Sequence, residues 1–435
     1  MPTAADTSAP IEPDGAPRLP QLDILRGIAI LSILFMNMDG MGAAMNGFFL
    51  GDPRLLGWTG LPRAIWWGRQ VLAEGTARCL LEMLFGAGMV ILTDRAAAGL
   101  PEGQVLRDYA WRNVVLFLFG LAHVFLLLWP GDILHTYALA ALLCMGLRRL
   151  RPRLLLTVGL AFATVQLVGG GLDTIVAARQ RATVAELRTL TAPTAPERQA
   201  IAADDEEQAA RARDRADALA RVAAEDAART GSARSWAAAL WSGFLYVEGL
   251  GLEPFFILEA ASTMLVGAAL FRLGVLQGQR SRRFYAGLTV TGYPLGLGLR
   301  VWATYALTRF DDAPSLAPAF GEWARLLVTL GHLGLVTLLL RTATGARALK
   351  PFAAAGRTAL TIYVLQTLIC LWVIYPPWGL ALYGRQGWAG LMGTALLVDA
   401  GLLVLAMWWV RRFPMAPVEW AWRSVVAGRA LRLRA

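Results

Sequence analysis

The sequence predicts an all-α fold: a polytopic membrane bundle of about ten transmembrane helices, with an extracytoplasmic helical insert between spans five and six. Three observations predict it. The 435-residue chain is 56% hydrophobic and its mean hydropathy is positive, a composition foreign to soluble globular domains. Apolar runs long enough to cross a bilayer, roughly 17–25 residues each, recur along most of its length. Arginines gather in alternate connecting loops, as they do in helical membrane proteins with a fixed orientation.

The spans are expected at 22–45, 79–92, 114–129, 133–147 and 154–172, then at 254–276, 285–307, 326–340, 353–375 and 391–410. Basic residues follow every even-numbered span: Arg95 and Arg107, then Arg148 and Arg151, Arg280 and Arg282, Arg347 and Lys350, and finally Arg411 and Arg412. Short loops rich in Lys and Arg mark the cytoplasmic side, so both termini are expected in the cytoplasm of a bacterial plasma (inner) membrane. The net charge of +10 is then a topology signal. It calls for no nucleic-acid partner, and the tail GRALRLRA is expected to lie against anionic membrane lipids.

Five segments follow from this. Residues 1–20 are rich in Ala, Pro and Asp and read as a disordered cytoplasmic tail, with no cleavable signal peptide ahead of the first span. Residues 21–175 form an N-terminal transmembrane half, 176–235 the insert, 236–412 a C-terminal half and 413–435 a basic cytoplasmic tail. The insert contains ADDEEQAARARDRADALARVAAEDAART, where alanine favours helix and Glu207–Arg211 and Asp217–Arg221 are spaced i, i+4. A solvated helix or helical hairpin is expected, serving as a spacer between the halves or as a lid or partner-docking element. Cys79, Cys144 and Cys370 lie in or beside apolar runs without CxxC spacing and read as buried, inert thiols.

Ionisable groups at bilayer depth cost about 2.5–3.5 kcal/mol each on insertion scales, so each invites a functional reading. In LDILRGIAILSILFMN, Asp23 and Arg26 lie one turn apart, and Asn37 falls on the same face because it is eleven residues beyond Arg26. Capping by Asp23 with snorkelling of Arg26 competes here with a binding role. Arg78 and Glu82, spaced i, i+4, are placed to neutralise each other, and FGAG at 85–88 permits close helix approach. His123 and His332 are single intramembrane histidines, for which hydrogen-bonded packing is the plain reading. Asp132, after Gly131, stands where an N-cap stands, with His135 three residues on. Capping explains Asp132 but not the gathering of His123, Asp132, His135 and Asn37 in one half of the membrane, where a histidine beside an aspartate makes a general base. Glu248, Glu253 and Glu259 punctuate the sixth span's approach, Gln366 lies in the ninth span and Asp399 in the tenth. No HExxH, Cys/His cluster, P-loop or GxSxG occurs, which speaks against a metalloprotease, NTPase or serine hydrolase. With three histidines and inert cysteines, no metal site is expected.

LDILRGIAILSILFMN, LLEMLFGAGMVIL, FLFGLAHVFLLLWPGDILHTYAL and GRTALTIYVLQTLI with APVEWAWR together resemble the YeiB-like family of bacterial membrane proteins (domain of unknown function 418). The resemblance spans nearly the whole chain apart from the insert. Matching positions include Asp23, Arg26 and Asn37, then Gly86 and Gly88, His123 and Asp132, and Arg357, Gln366 and Glu419. The family is distantly similar to the transmembrane acyltransferases that include the lysosomal heparan glucosaminide acetyltransferase and the acyltransferase-3 proteins. That resemblance implies transfer of an acyl group from cytoplasmic acyl-CoA to an acceptor on the far side. The lysosomal enzyme's catalytic histidine lies in the outer loop before its second span, and the corresponding WTGLPRAIWWGRQVLAEGTAR contains none. Histidine chemistry then falls to His123 or His135, oriented by Asp132. Asp23, Arg26, Asn37, Arg78, Glu82, His332, Arg357 and Gln366 are the binding candidates. The expected function is an acyltransferase with acyl-CoA as donor and a small-molecule, lipid or carbohydrate acceptor, monomeric or homo-oligomeric. Its rivals are a transporter or lipid-binding permease using the same polar stripe, and an assembly or scaffold protein docked through the insert.

Overall fold

The structure is a computed structural model that describes residues 19–311 and 313–433. Among the described residues every regular element is helical. The first half comprises α1 (Pro20–Gly42), α2 (Met45–Leu50), α3 (Leu61–Leu72), α4 (Thr76–Ala96), α5 (Glu102–Leu127), α6 (Leu134–Cys144) and α7 (Pro152–Leu187). Then come α8 (Ala195–Arg229), α9 (Ala233–Gly249), α10 (Glu253–Arg272), α11 (Arg282–Leu307) and α12 (Gly321–Leu340). The chain ends with α13 (Ala343–Arg357), α14 (Ala359–Ile369), α15 (Trp388–Trp409) and α16 (Pro417–Val426). Proline occupies the first turn of α1, α7, α10 and α16, where its missing N–H costs nothing. Thr194 and Glu197 form a capping box at α8, and Ser232 and Ser281 cap α9 and α11.

Each of the ten expected spans is helical. Among the described residues seven helices are long and apolar enough to cross a membrane, two of them counted with the short helix before them, as in Leu61–Ala96. An eighth is a broken pair, Ala343–Arg357 and Ala359–Ile374, bent by 81°. The run at 133–147 is the short apolar helix Leu134–Leu147. The run at 285–307 is α11, where glycine, threonine, Arg300 and the internal Pro294 dilute the apolar content.

α1 is the axis of the bundle, packed against α4, α13 and α15, with Leu25, Leu34 and Met38 fully buried. Its contact with α13 is backbone to backbone. A Cβ at Gly27 would stand 1.9 Å from the Phe352 carbonyl oxygen, and one at Gly356 would stand 1.8 Å from that of Asp23. α10 packs against α4, α6 and α7, and α11 against α12.

The insert is a hairpin. α7 has 36 residues, about 54 Å of helix, and so continues unbroken from the fifth span into the insert's first arm. α8 is the returning arm and packs against α2 and α9. The tail expected over 1–20 lies, but for its last two residues, outside the described residues. The basic tail expected over 413–435 begins with an ordered element, α16, laid against α5 and α14. Its Glu419 accepts the backbone N–H groups of Leu360 (2.7 Å) and Thr361 (3.2 Å), amides that the break before α14 leaves without helical partners.

Candidate functional site

The turn Trp129–Pro130–Gly131–Asp132 joins α5 to α6 and places one carboxylate between two histidines. Asp132 Oδ2 accepts the backbone N–H of Leu134 (2.9 Å) and of His135 (3.1 Å), so it does cap α6. The same carboxylate receives His123 Nδ1 on Oδ1 and His135 Nδ1 on Oδ2, both at 2.8 Å. α5 and α6 approach this closely because residue 120 is glycine: a Cβ there would stand 2.4 Å from the His135 backbone nitrogen and 2.9 Å from Asp132 Oδ2. An ionised carboxylate offers only acceptors, so each Nδ1 carries its proton.

The two histidines then diverge. His123 is enclosed, its side chain 2% exposed, with Nε2 taking the Thr367 hydroxyl at 3.0 Å and the ring against Tyr363 at 4.8 Å. His135 faces a cavity of about 320 Å³, and its Nε2 lies 3.4 Å from Glu253 Oε1. Thr136 donates its hydroxyl to the same oxygen at 2.8 Å. α1 supplies the facing wall with Asn37, Asp39 and Gly40, and α4 contributes Arg78 and Glu82.

Arg78 and Glu82 were expected as a mutual pair and are found in a wider network. Their own contact is 3.6 Å. Arg78 is closer to both oxygens of Glu259 (2.6 and 2.7 Å), while Arg325 bonds Glu82 and Glu259 at 2.9 Å each and Glu322 at 2.8 Å. Burial makes each charge dependent on its partners, because an unpaired ion in this interior costs several kcal/mol. Beside it, Arg69 of α3 pairs with Asp39 at 3.2 Å and takes the carbonyls of Phe35 and Met36. Asp39 Oδ1 is buried and has no hydrogen-bond partner among the described residues.

Five predicted residues therefore line one cavity: Asn37, Arg78, Glu82, Asp132 and His135. His123 stands behind it. Asp23 and Arg26, paired at 3.0 Å, share the Asn37 face of α1 but lie fourteen to eleven residues away, about 21 to 16 Å along the axis. The polar stripe is thus two separate places. Arg357 ends α13 at the bend. His332 bridges Tyr293 Oη (2.8 Å) and the Leu72 carbonyl (3.0 Å) outside the cavity lining. Gln366 is buried, donating to the Ile30 carbonyl at 3.2 Å and Asp399 Oδ1 at 2.9 Å, and joins α14 to α1 and α15.

Several residues in or beside the cavity were not singled out or carried little weight. Glu248 and Glu253 lie at its edge, where their carboxylates and a His135 nitrogen all fall within 4.8 Å of one another. Arg325 escaped notice because it stands just before an apolar run; its i, i+3 spacing from Glu322 was the available signal. Arg69 lies on an amphipathic helix outside the expected spans. A second cavity, about 340 Å³, shares Asp39, Phe48 and Glu74 with the first and is roofed by Val222 and Asp226 of the insert. Burial pushes the Asp226 carboxyl above its usual range, opposed by the Tyr383 hydroxyl that donates to it at 2.8 Å.

Fold and site together define a multi-pass helical membrane protein with a buried, acid-rich cavity and a shared His–Asp–His cluster. Residues 270–429 match the family described as "Protein of unknown function (DUF418)". Across nearly its whole length the chain is similar to "Uncharacterized protein YxaH" of Bacillus subtilis (strain 168), 27% identical over 424 residues and 94% of each chain. It is similar also to "Uncharacterized protein YeiB" of Escherichia coli (strain K12), 27% identical over 414 residues, 93% of this chain and 95% of that one. Both similarities run along nearly the whole chain, including the stretches in which its motifs lie. The family match covers α11 to α16, including Arg325, Tyr363 and Thr367, while His123, Asp132 and His135 lie before it.

Proposed function

We propose that this protein is an acyltransferase of the bacterial plasma membrane, with both termini cytoplasmic, that passes an acyl group from cytoplasmic acyl-CoA to an acceptor in the cavity. The observation that carries this reading is Asp132 holding the Nδ1 of His135 at 2.8 Å while the same imidazole opens its Nε2 side onto the cavity. A carboxylate that fixes the tautomer leaves Nε2 free to take a proton. In this reading an acceptor hydroxyl or amine gives its proton to Nε2 as its lone pair attacks the thioester carbonyl. The carbonyl re-forms, the C–S bond breaks, and the leaving thiolate takes the proton from the imidazolium.

Asn37 lines the same cavity, and its amide N–H₂ is a donor for the carbonyl oxygen as negative charge develops. At the other end of α1, the charges of Arg26 and Arg423 both act on Arg112, whose guanidinium lies 3.9 Å from the Trp422 ring. Clustered arginines suit phosphate groups, so this end is assigned to the nucleotide part of the donor. The basic loops after the even-numbered spans support its cytoplasmic placement. The acceptor is a small molecule, lipid or carbohydrate reached from the opposite side.

The test is release of free CoA from radiolabelled acyl-CoA by purified protein in lipid nanodiscs supplied with envelope extracts. The expected result is saturable acyl-CoA binding with His135-dependent transfer. Failure to bind acyl-CoA, or undiminished transfer in His135→Gln, overturns the reading.

A further inference from the structure

We infer that His135, Glu248 and Glu253 form a binding site for a first-row divalent metal ion at the edge of the cavity. The three residues come from separate elements, α6, the last turns of α9 and the first residue of α10, yet each presents a ligand atom within 4.8 Å of the other two. Bonds of roughly 2.1 Å in a tetrahedral shell set neighbouring donor atoms about 3.4 Å apart. His135 Nε2 and Glu253 Oε1 already stand at 3.4 Å. Glu248, exposed at the rim, closes the remaining gap by rotation of its side chain.

The surroundings are those of a metal site. Asp132 takes the proton of His135 Nδ1 at 2.8 Å, which fixes the ring orientation and directs the Nε2 lone pair at the two glutamates. Thr136 holds Glu253 Oε1 at 2.8 Å, a second outer contact that orients a ligand oxygen. The other face opens on the cavity, leaving a coordination position for water or a ligand, as in sites that do chemistry.

Charge balance points the same way. Asp39 and Glu74 are compensated by Arg69, and Glu82 and Glu259 by Arg78 and Arg325. Asp132, Glu248 and Glu253 have no guanidinium within ion-pair distance among the described residues. Three carboxylates thus share two histidines, and a divalent cation supplies the missing positive charge. One imidazole with two carboxylates suits zinc or manganese better than a thiolate-seeking ion. The absence of HExxH or a Cys/His cluster is no obstacle, because the ligands are brought together by three chain segments rather than by local spacing.

This inference does not rest on acyl transfer. A cation on Nε2 and proton acceptance at Nε2 exclude each other, so the effect of added metal on any turnover tells which state is active.

The experiment is isothermal titration of Zn²⁺, and separately Mn²⁺, into chelator-stripped full-length protein in detergent, with no acyl donor present. One saturable site per chain is expected, weakened at least tenfold in Glu253→Gln and in Glu248→Gln. Glu206→Gln, in an exposed carboxylate of the insert paired with Arg213, is expected to leave it unchanged. Absence of binding by wild type, or wild-type affinity in both cavity variants, overturns the proposal. Should Glu253→Gln aggregate, Glu248→Gln decides the matter, since its side chain is exposed and outside the core. Failure here leaves acyl-CoA binding untouched, and failure of acyl-CoA binding leaves the metal titration untouched.

Discussion

Glu225 and Arg229, one turn apart on α8 and in contact at 3.2 Å, cap two different helices in opposite senses. Arg229 donates to the carbonyls of Gly40 (3.1 Å), Met41 (2.5 Å) and Ala43 (2.8 Å) where α1 ends. Glu225 accepts the N–H groups of Met45 (2.8 Å) and Asn46 (3.0 Å) where α2 begins. The cation thus meets the negative end of one helix dipole and the anion the positive end of the next. Trp236 and Tyr383 enclose the guanidinium at 4.5 and 4.1 Å. This staple fixes the end of α1 that carries Asp39 and Gly40 into the cavity and ties the insert to it.

Replacing Arg229 by Met is expected to be among the most damaging single changes in the insert. It strips three carbonyls of their donor and leaves a buried carboxylate without its cation, a loss of about 3–5 kcal/mol for a broken buried pair. Thermal unfolding in detergent reads it directly. An unchanged midpoint would show the staple to be energetically idle.

Two glycines in FGAG should behave in opposite ways. A Cβ at Gly86 would lie 1.8 Å from the Met264 carbonyl oxygen, whereas at Gly88 nothing stands within 4 Å. Gly86→Ala is expected to force α4 from α10 and cost about 1–3 kcal/mol. Gly88→Ala is expected to be neutral or to stabilise by up to about 1 kcal/mol, through helix propensity alone. Thermal midpoints of the two variants check this, and equal effects would contradict the packing at this contact.

Under the proposed acyl transfer, activity should separate the two histidines. His135 faces the cavity and His123 is enclosed against Tyr363 and Thr367. Loss of a general base costs about 10²–10⁴-fold, so His135→Gln is expected to fall in that range. His123→Gln should fall by less than about tenfold if it only positions Asp132, general-base loss being the larger effect. The measured quantity is the rate of acyl transfer at saturating donor, and the reverse order would assign the chemistry to His123.

Acid should loosen the loop that meets the insert. Asp52 is held well below its ordinary value of 3.8, first by the Arg54 side chain and then by Arg215 of α8. A depressed carboxylate contributes stability that is complete above the unfolded value and is lost as pH falls toward the folded one. The expected loss therefore begins below about pH 4. Asp52→Asn should lower the midpoint at neutral pH and shrink the further drop between about pH 5 and about pH 3. A variant with an undiminished acid drop would show that other carboxylates carry it.

Local rules made much of the site readable. Asp132 three residues before His135, after a Pro-Gly turn, is visible as a cap in any helical reading, and its neighbourhood with His123 follows once α5 and α6 are antiparallel neighbours. Glu253 and Glu248 were visible only as acids near a membrane entrance. Their nearness to His135 depends on α9 and α10 meeting α6, residues more than a hundred positions apart. Asp23 and Asn37 show the converse: helical periodicity put them on one face, and helical rise put them at opposite ends.

The sequence by itself determined where the apolar helices form, because apolar runs, first-turn prolines and capping residues act within a few residues of one another. It also determined that Asp132 would serve α6. Only the tertiary structure decided which ions neutralise which: Arg325 with Glu82 and Glu259, Arg229 with Glu225 and the end of α1. Burial removes the water that would otherwise screen each charge, so a buried ion takes whatever partner the packed helices bring within reach. That choice is made by close helix contacts such as Gly27 on α13 and Gly86 on α10, at distances no local spacing encodes.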